Sequence, residues 1–186
     1  MKENLVSFKN MDNFVELLSK DKIDGFFKEG KHCESRDIFQ AQLNDLYLEL
    51  RNPLLIAICG EIGNNSFDHN LGNWRDLSGV YFEHSKKENT IILADRGQGV
   101  RKTLSRIMPD ISDDLEAVEI AFTKTISGRS PEQRGNGLKF VASAIKKNQW
   151  ESHFQSGLGV AVIKNGNLSF SESSHAVKGC LAVVKY

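Results

Sequence analysis

The chain has 186 residues, in which 24 lysines and arginines balance 24 aspartates and glutamates, for a formal net charge of zero. With 40% hydrophobic and 26% charged residues, it can build the core of one ordinary domain, and intrinsic disorder is excluded. Its longest apolar run, residues 53–59, is far shorter than the ~20 residues of a membrane span, and the charge balance argues against a nucleic-acid partner.

The start, Met1-Lys2-Glu3-Asn4-Leu5, lacks the basic-then-apolar order of a secretory signal, so the chain reads as a soluble, cytoplasmic protein. Cys33, Cys59 and Cys180 share no C-x-x-C spacing, and the histidines are scattered with no H-E-x-x-H. Neither a disulfide framework nor a zinc site is expected.

In chain order, the first thirty or so residues form a polar N-terminal extension (1–35) with an amphipathic stretch at 11–18. A helix is predicted over 36–51, where Ile38, Phe39, Leu43, Leu46, Tyr47 and Leu50 recur at helical spacing. Asn52-Pro53 reads as an N-cap followed by a first-turn proline, opening a second helix to about His69. Strands are expected at 79–83 and 90–94 around a polar turn, then helical pieces at 100–107 and 114–122 and a helix at 137–147. Four more strands follow, at 150–155, 159–163, 168–171 and 180–186. This order predicts an α+β domain over 36–186, a two-layer sandwich with one mixed, mostly antiparallel sheet covered by helices.

Three segments carry candidate chemistry. In the first, Glu61, Asn65 and Asp68 fall at i, i+4 and i+7 of the second helix and share one face. Two carboxylates and a carboxamide in one stripe are costly to bury unpaired. In the second, an apolar strand ends at Asp95 and runs into Gly97, Gly99 and Val100, where backbone without Cβ lets a flat ligand approach. In the third, Arg134-Gly135-Asn136-Gly137-Leu138 leads glycine-rich backbone into a helix, and free N–H groups at a helix start suit phosphates. Taken singly, these also fit a solvated helix end, a turn and a loop. The P-loop and dinucleotide-binding glycine patterns are absent.

In this order the segments resemble the three boxes of the GHKL superfamily of ATP-binding domains, found in gyrase-type topoisomerases, Hsp90 chaperones, histidine kinases and MutL proteins. Glu61-x-x-x-Asn65-Ser66-x-Asp68 is similar to the E-x-x-x-N-S-x-D form, Asp95-x-Gly97-x-Gly99 to D-x-G-x-G, and Gly135-x-Gly137-Leu138 to the G-x-G-L closing the ATP lid. The resemblance implies the Bergerat ATP-binding fold with ATP and Mg²⁺ as cofactors. It assigns Glu61 the role of general base and Asn65 that of magnesium ligand. Asp95 would accept from the adenine amine, Gly97, Gly99 and Val100 would flank the ring, and residues 134–138 would offer groups to the phosphates. Asp68 would sit against the adenine or support its helix.

The chain departs from the family in places. Asp68 stands where histidine kinases carry a basic residue, no phosphoacceptor histidine motif occurs, and Gly179-Cys180 replaces a common Gly-Thr. The leading expectation is an ATP-binding protein that hydrolyses ATP slowly and acts as a nucleotide-controlled regulatory switch. A serine/threonine protein kinase resembling anti-sigma factors, acting on a small partner protein, is an alternative. Another is a non-hydrolysing, ATP-responsive interaction module of a toxin–antitoxin or defence operon. In each case a protein partner is expected, and the N-terminal segment offers a contact for it or for a second copy in a homodimer.

Overall fold

The computed structural model describes residues 31–124 and 137–186. In chain order the elements are β1 (His32–Cys33), α1 (Arg36–Leu50), α2 (Pro53–Asn70), β2 (Val80–Ser85), β3 (Thr90–Asp95), α3 (Gly99–Leu104), α4 (Asp114–Thr123), α5 (Gly137–Lys147), β4 (Glu151–Lys164) and β5 (Asn167–Lys185). The strands form a five-stranded sheet in the order β1-β2-β3-β5-β4, and each neighbouring pair is antiparallel. The fold is α+β, with helices packed on the sheet. No described helix is long and apolar enough to cross a membrane.

Side-chain caps set the helix starts. Ser35 accepts from the Ile38 N–H, Asn52 from that of Leu55 at 3.1 Å, and Asp113 from that of Glu116 at 2.8 Å. Each cap satisfies an N–H that the first turn leaves orphaned. α1 ends at Arg51, whose left-handed backbone (φ 53°) returns its N–H to the Tyr47 carbonyl. α2 lies against α1 so closely that a Cβ on Gly63 would overlap the Phe39 ring.

Alternate strand residues (Val80 and Phe82, Ile91 and Leu93, Ala182 and Val184) join Phe39, Ile58, Phe122 and Ile145 of the helices in one hydrophobic core. A smaller cluster of Ile111, Ala117 and Ile120, with Val100 and Leu104 against it, ties α3 to α4.

The structure differs from the sequence expectations in three places. His32 and Cys33, ahead of residue 36, pair with Tyr81 and Val80 as an edge strand, and Cys33 is fully buried. The four C-terminal strand segments are two long strands joined by a two-residue turn. Asn165 (φ 51°) and Gly166 (φ 73°) supply the turn, both left-handed as a tight hairpin requires. The break expected near residue 157 is a bulge in β4 at Ser156 to Gly159, where the register with β5 shifts. The expected amphipathic stretch at 11–18 lies outside the described residues.

Candidate functional site

α2 touches both of the other two segments. Near its middle, exposed Glu61 and half-buried Asn65 face the first residue of α5. A Cβ on Gly137 would come 2.5 Å from the Glu61 carboxylate and 3.7 Å from the Asn65 carboxamide nitrogen. A glycine at this helix start therefore keeps open the space the two polar side chains need. Among the described residues neither side chain makes a hydrogen bond. The first-turn N–H groups of α5 start at the same point and have no partner within their own helix. Leu138 turns the other way and packs against the core.

From Ser66 to its last residue, Asn70, α2 engages the second segment. The Ser66 hydroxyl donates to Asp95 Oδ2 at 2.7 Å, and the Asn70 amide donates to Oδ1 at 3.3 Å. The Gly97 N–H donates to Oδ1 at 2.8 Å, and the Cys180 backbone N–H adds a fourth donor. A carboxylate offers about four acceptor sites, so this one is close to saturated. Asp95 is only 2% exposed. Burial pushes its carboxyl above the ordinary carboxylate range, and the hydrogen bonds from Ser66, Gly97, Cys180 and Asn70 oppose that rise.

Asn70 also holds the loop. Its Oδ1 accepts from the Gln98 N–H at 2.9 Å, and a Cβ on Gly97 would overlap its amide. Gly97 is thus required by a neighbouring side chain within the protein. Gln98 donates to the His69 carbonyl at 2.6 Å, and Val100 N–H donates to Ser156 in the β4 bulge at 2.9 Å.

Asp68 is drawn to α1, where it pairs with Arg36, whose guanidinium also lies 5.6 Å from the centre of the Phe67 ring. The neighbouring Arg96 is 1% exposed and paired with Asp76, whose carboxyl it holds below the ordinary range.

A cleft of about 570 Å³ opens beside Gln98 and Gly99, walled by Arg75, Arg101, Ser156, Gly157 and residues 174–179. Of the predicted site residues that are described, only Gly99 lines it; Glu61, Asn65, Asp95 and Gly137 do not. The described residues thus bring Glu61 and Asn65 to Gly137, and Asp95 with Gly97 to the far end of the same helix, without one hollow enclosing all of them. Arg134, Gly135 and Asn136 lie outside the described residues.

Sequence reasoning gave no role to Ser66, Asn70 or Ser156. Ser66 and Asn70 are one helical turn apart, so they share a face of α2, and that spacing was the available signal. Nothing local marks Ser156, which acts through a bulge.

No family model matches this sequence, and no curated protein matches it. Among solved structures, the chain is similar to the topoisomerase IV ATP-binding domain of Francisella tularensis, solved in complex with a small-molecule inhibitor. Identity is 18% and the TM-score 0.37, over 67% of this chain and 59% of that one, so this chain spans about three fifths of that structure's length.

Proposed function

We propose that the protein binds ATP with Mg²⁺ along α2 and hydrolyses it slowly, using the nucleotide to control its contact with a protein partner. One observation carries this reading: a single helix presents Glu61 and Asn65 to the bare start of α5 and, through Ser66 and Asn70, holds Asp95 at its other end. Glu61 and Ser66 are separated by about 7.5 Å along the helix axis, so an acid and a base-recognition group sit at different points of one polar track.

In this reading Asp95 selects adenine. Its carboxylate can only accept, so it suits the exocyclic amine of adenine and repels the carbonyl that guanine carries there. Reaching it requires the Asn70 amide to give way, since Asp95 is nearly sealed. The first-turn N–H groups at Gly137 and Leu138 receive phosphate oxygens.

The donor set suits magnesium that arrives with the nucleotide. Among the described residues no group of three or more His, Cys, Asp or Glu could hold a metal unaided. A magnesium ion takes few protein ligands and relies on phosphate oxygens and water, so the Asn65 carboxamide is an adequate anchor. When bound, the ion neutralises charge building up on the phosphates. Glu61, exposed and without a hydrogen bond among the described residues, orients the attacking water and takes its proton.

Calorimetry with ATP, ADP and GTP, with and without Mg²⁺, tests the reading. ATP binding that needs Mg²⁺ and outcompetes GTP is expected, whereas equal affinity for GTP would remove the role given to Asp95. Release of ADP into solution supports hydrolysis. Transfer of labelled phosphate to a protein, without water hydrolysis, would replace it with the kinase reading.

A further inference from the structure

The sheet has a second face, away from the core under the helices. Successive strand residues point to opposite faces. With Val80, Phe82, Ile91, Leu93, Ala182 and Val184 in the helix-side core, Tyr81, Ile92, Ala94, Leu181 and Val183 point the other way. They stand opposite one another across three strands, Tyr81 beside Ala94 and Ala94 beside Leu181 in one row, Ile92 beside Val183 in the next. None of them belongs to either of the clusters that the helices build, yet all are between 0 and 3% exposed. An antiparallel sheet face left uncovered is solvated, so this one has other atoms lying on it. Two stretches of the chain outside the described residues could supply them, 1–30 and 125–136.

We infer that residues 1–30 cover this face of their own sheet, with Met11, Phe14, Val15 and Leu18 laid against Ile92, Leu181 and Val183. Those four residues fall three or four apart, a spacing that puts them on one side of a helix, with Glu16 on the opposite side. Phe26 and Phe27 add apolar surface nearer the attachment point. By contrast, 125–136 holds Ile126 as its only large aliphatic or aromatic residue. It also runs from α4 to α5, whose Phe122 and Val141 lie in the helix-side core. The first described residue supports the same assignment. Lys31 pairs with Glu83, which alternates with Phe82 and so belongs to the second face, where Tyr81 also donates to it. Lys31 adjoins β1 at the border of the sheet. From β1 to β5 is three strand spacings, about 14 Å, and residues 19–30 can span up to about 40 Å. The extension thereby shields apolar rows that would otherwise form an exposed patch, and it backs β3, whose last residue is Asp95. None of this depends on ATP binding along α2.

The test is nuclear magnetic resonance on the full chain, comparing a uniformly labelled sample with a mixture of labelled and unlabelled protein filtered for contacts between chains. Overhauser contacts from the Phe14 ring and the Leu18 methyls to the Leu181 and Val183 methyls are expected in the first sample and are expected to vanish under the filter. Contacts that survive the filter would put a second copy on the face, and contacts from Ile126 in their place would assign it to 125–136; either result overturns the proposal. So does the absence of any contact from residues 1–30 to these methyls. In parallel, Phe14→Asp and Leu18→Asp should each lower the melting temperature by about 5 °C or more. Glu16→Lys, across the stripe, should leave it within about 1 °C. Unchanged melting in both aspartate variants, or an equal fall in Glu16→Lys, counts against the assigned stripe. If the aspartate variants do not fold, Phe14→Leu gives the same reading with a smaller shift, and the wild-type contacts decide the matter without any variant.

Discussion

The two ends of the polar track on α2 are built on opposite principles. At the Asp95 end every group is committed: the carboxylate takes four donors, Asn70 bridges it to the loop, and Gly97 is pressed onto Asn70. At the Glu61 end the carboxylate and the Asn65 carboxamide face a helix start and are bonded to nothing among the described residues. A saturated, buried network resists change, whereas an unsatisfied, partly exposed pair stays open to new contacts. The two ends of the helix thus differ in how far their polar groups are committed, and substitutions there should fail in different ways.

The sharpest contrast is in rate. Glu61→Gln should retain ATP binding and the native melting temperature but lose turnover by about 10²- to 10⁴-fold, the usual worth of a positioned general base. Single-turnover ADP release measures this, and undiminished turnover would take the base role from Glu61. At the other end, Asp95→Asn should lower stability by about 1–3 kcal/mol, because an amide N–H₂ then faces the Ser66 or backbone donors that the carboxylate satisfied. Chemical denaturation reads that loss, and a variant as stable as wild type would mean the network is looser than its geometry.

Gly137→Ala should separate the two properties. Its Cβ would lie 2.5 Å from Glu61 Oε2, the end of a flexible and exposed side chain that can swing aside. Turnover is expected to fall about tenfold, roughly 1.4 kcal/mol of barrier, with little change in melting temperature. A drop in stability without a drop in rate would reverse that assignment.

The pH response provides a subtler test. Asp95 has its carboxyl raised by burial in the folded chain, so its contribution to stability is full at acid pH, below the unfolded value. That contribution is lost as pH rises through the folded value. The stability advantage of wild type over Asp95→Asn should therefore shrink from acid to neutral pH, and an advantage that grows would contradict the burial. The smallest effect is expected at Asp68→Asn, which breaks an exposed pair with Arg36 and should cost at most about 1 kcal/mol.

Helix and strand placement was readable because apolar spacing and caps are local signals. Asn52-Pro53 announced α2, and two short strand-like runs around the polar turn at 85–89 announced a hairpin. What was not readable depends on contacts distant in sequence. Nothing near Gly63 shows that Phe39 will lie on it, nor near Gly97 that Asn70 will. The three boxes gave Glu61, Asn65 and Asp95 as residues of interest. They did not show that Asp95 would be closed in by its own helix, or that the cleft would lie beyond Gly99. Asn165-Gly166 did carry a local hairpin signal, and it joins what the strand pattern had divided into four.

The strand order also dictates when the fold can be completed. β3 lies in mid-chain, yet its partner is β5, with Thr90 opposite Lys185 and Asp95 opposite Cys180. Contacts so remote in sequence form slowly because a large loop must close before they return any stabilisation. On a ribosome, the acid at the end of β3 would emerge long before the strand that seals it, and until then it would remain hydrated and charged.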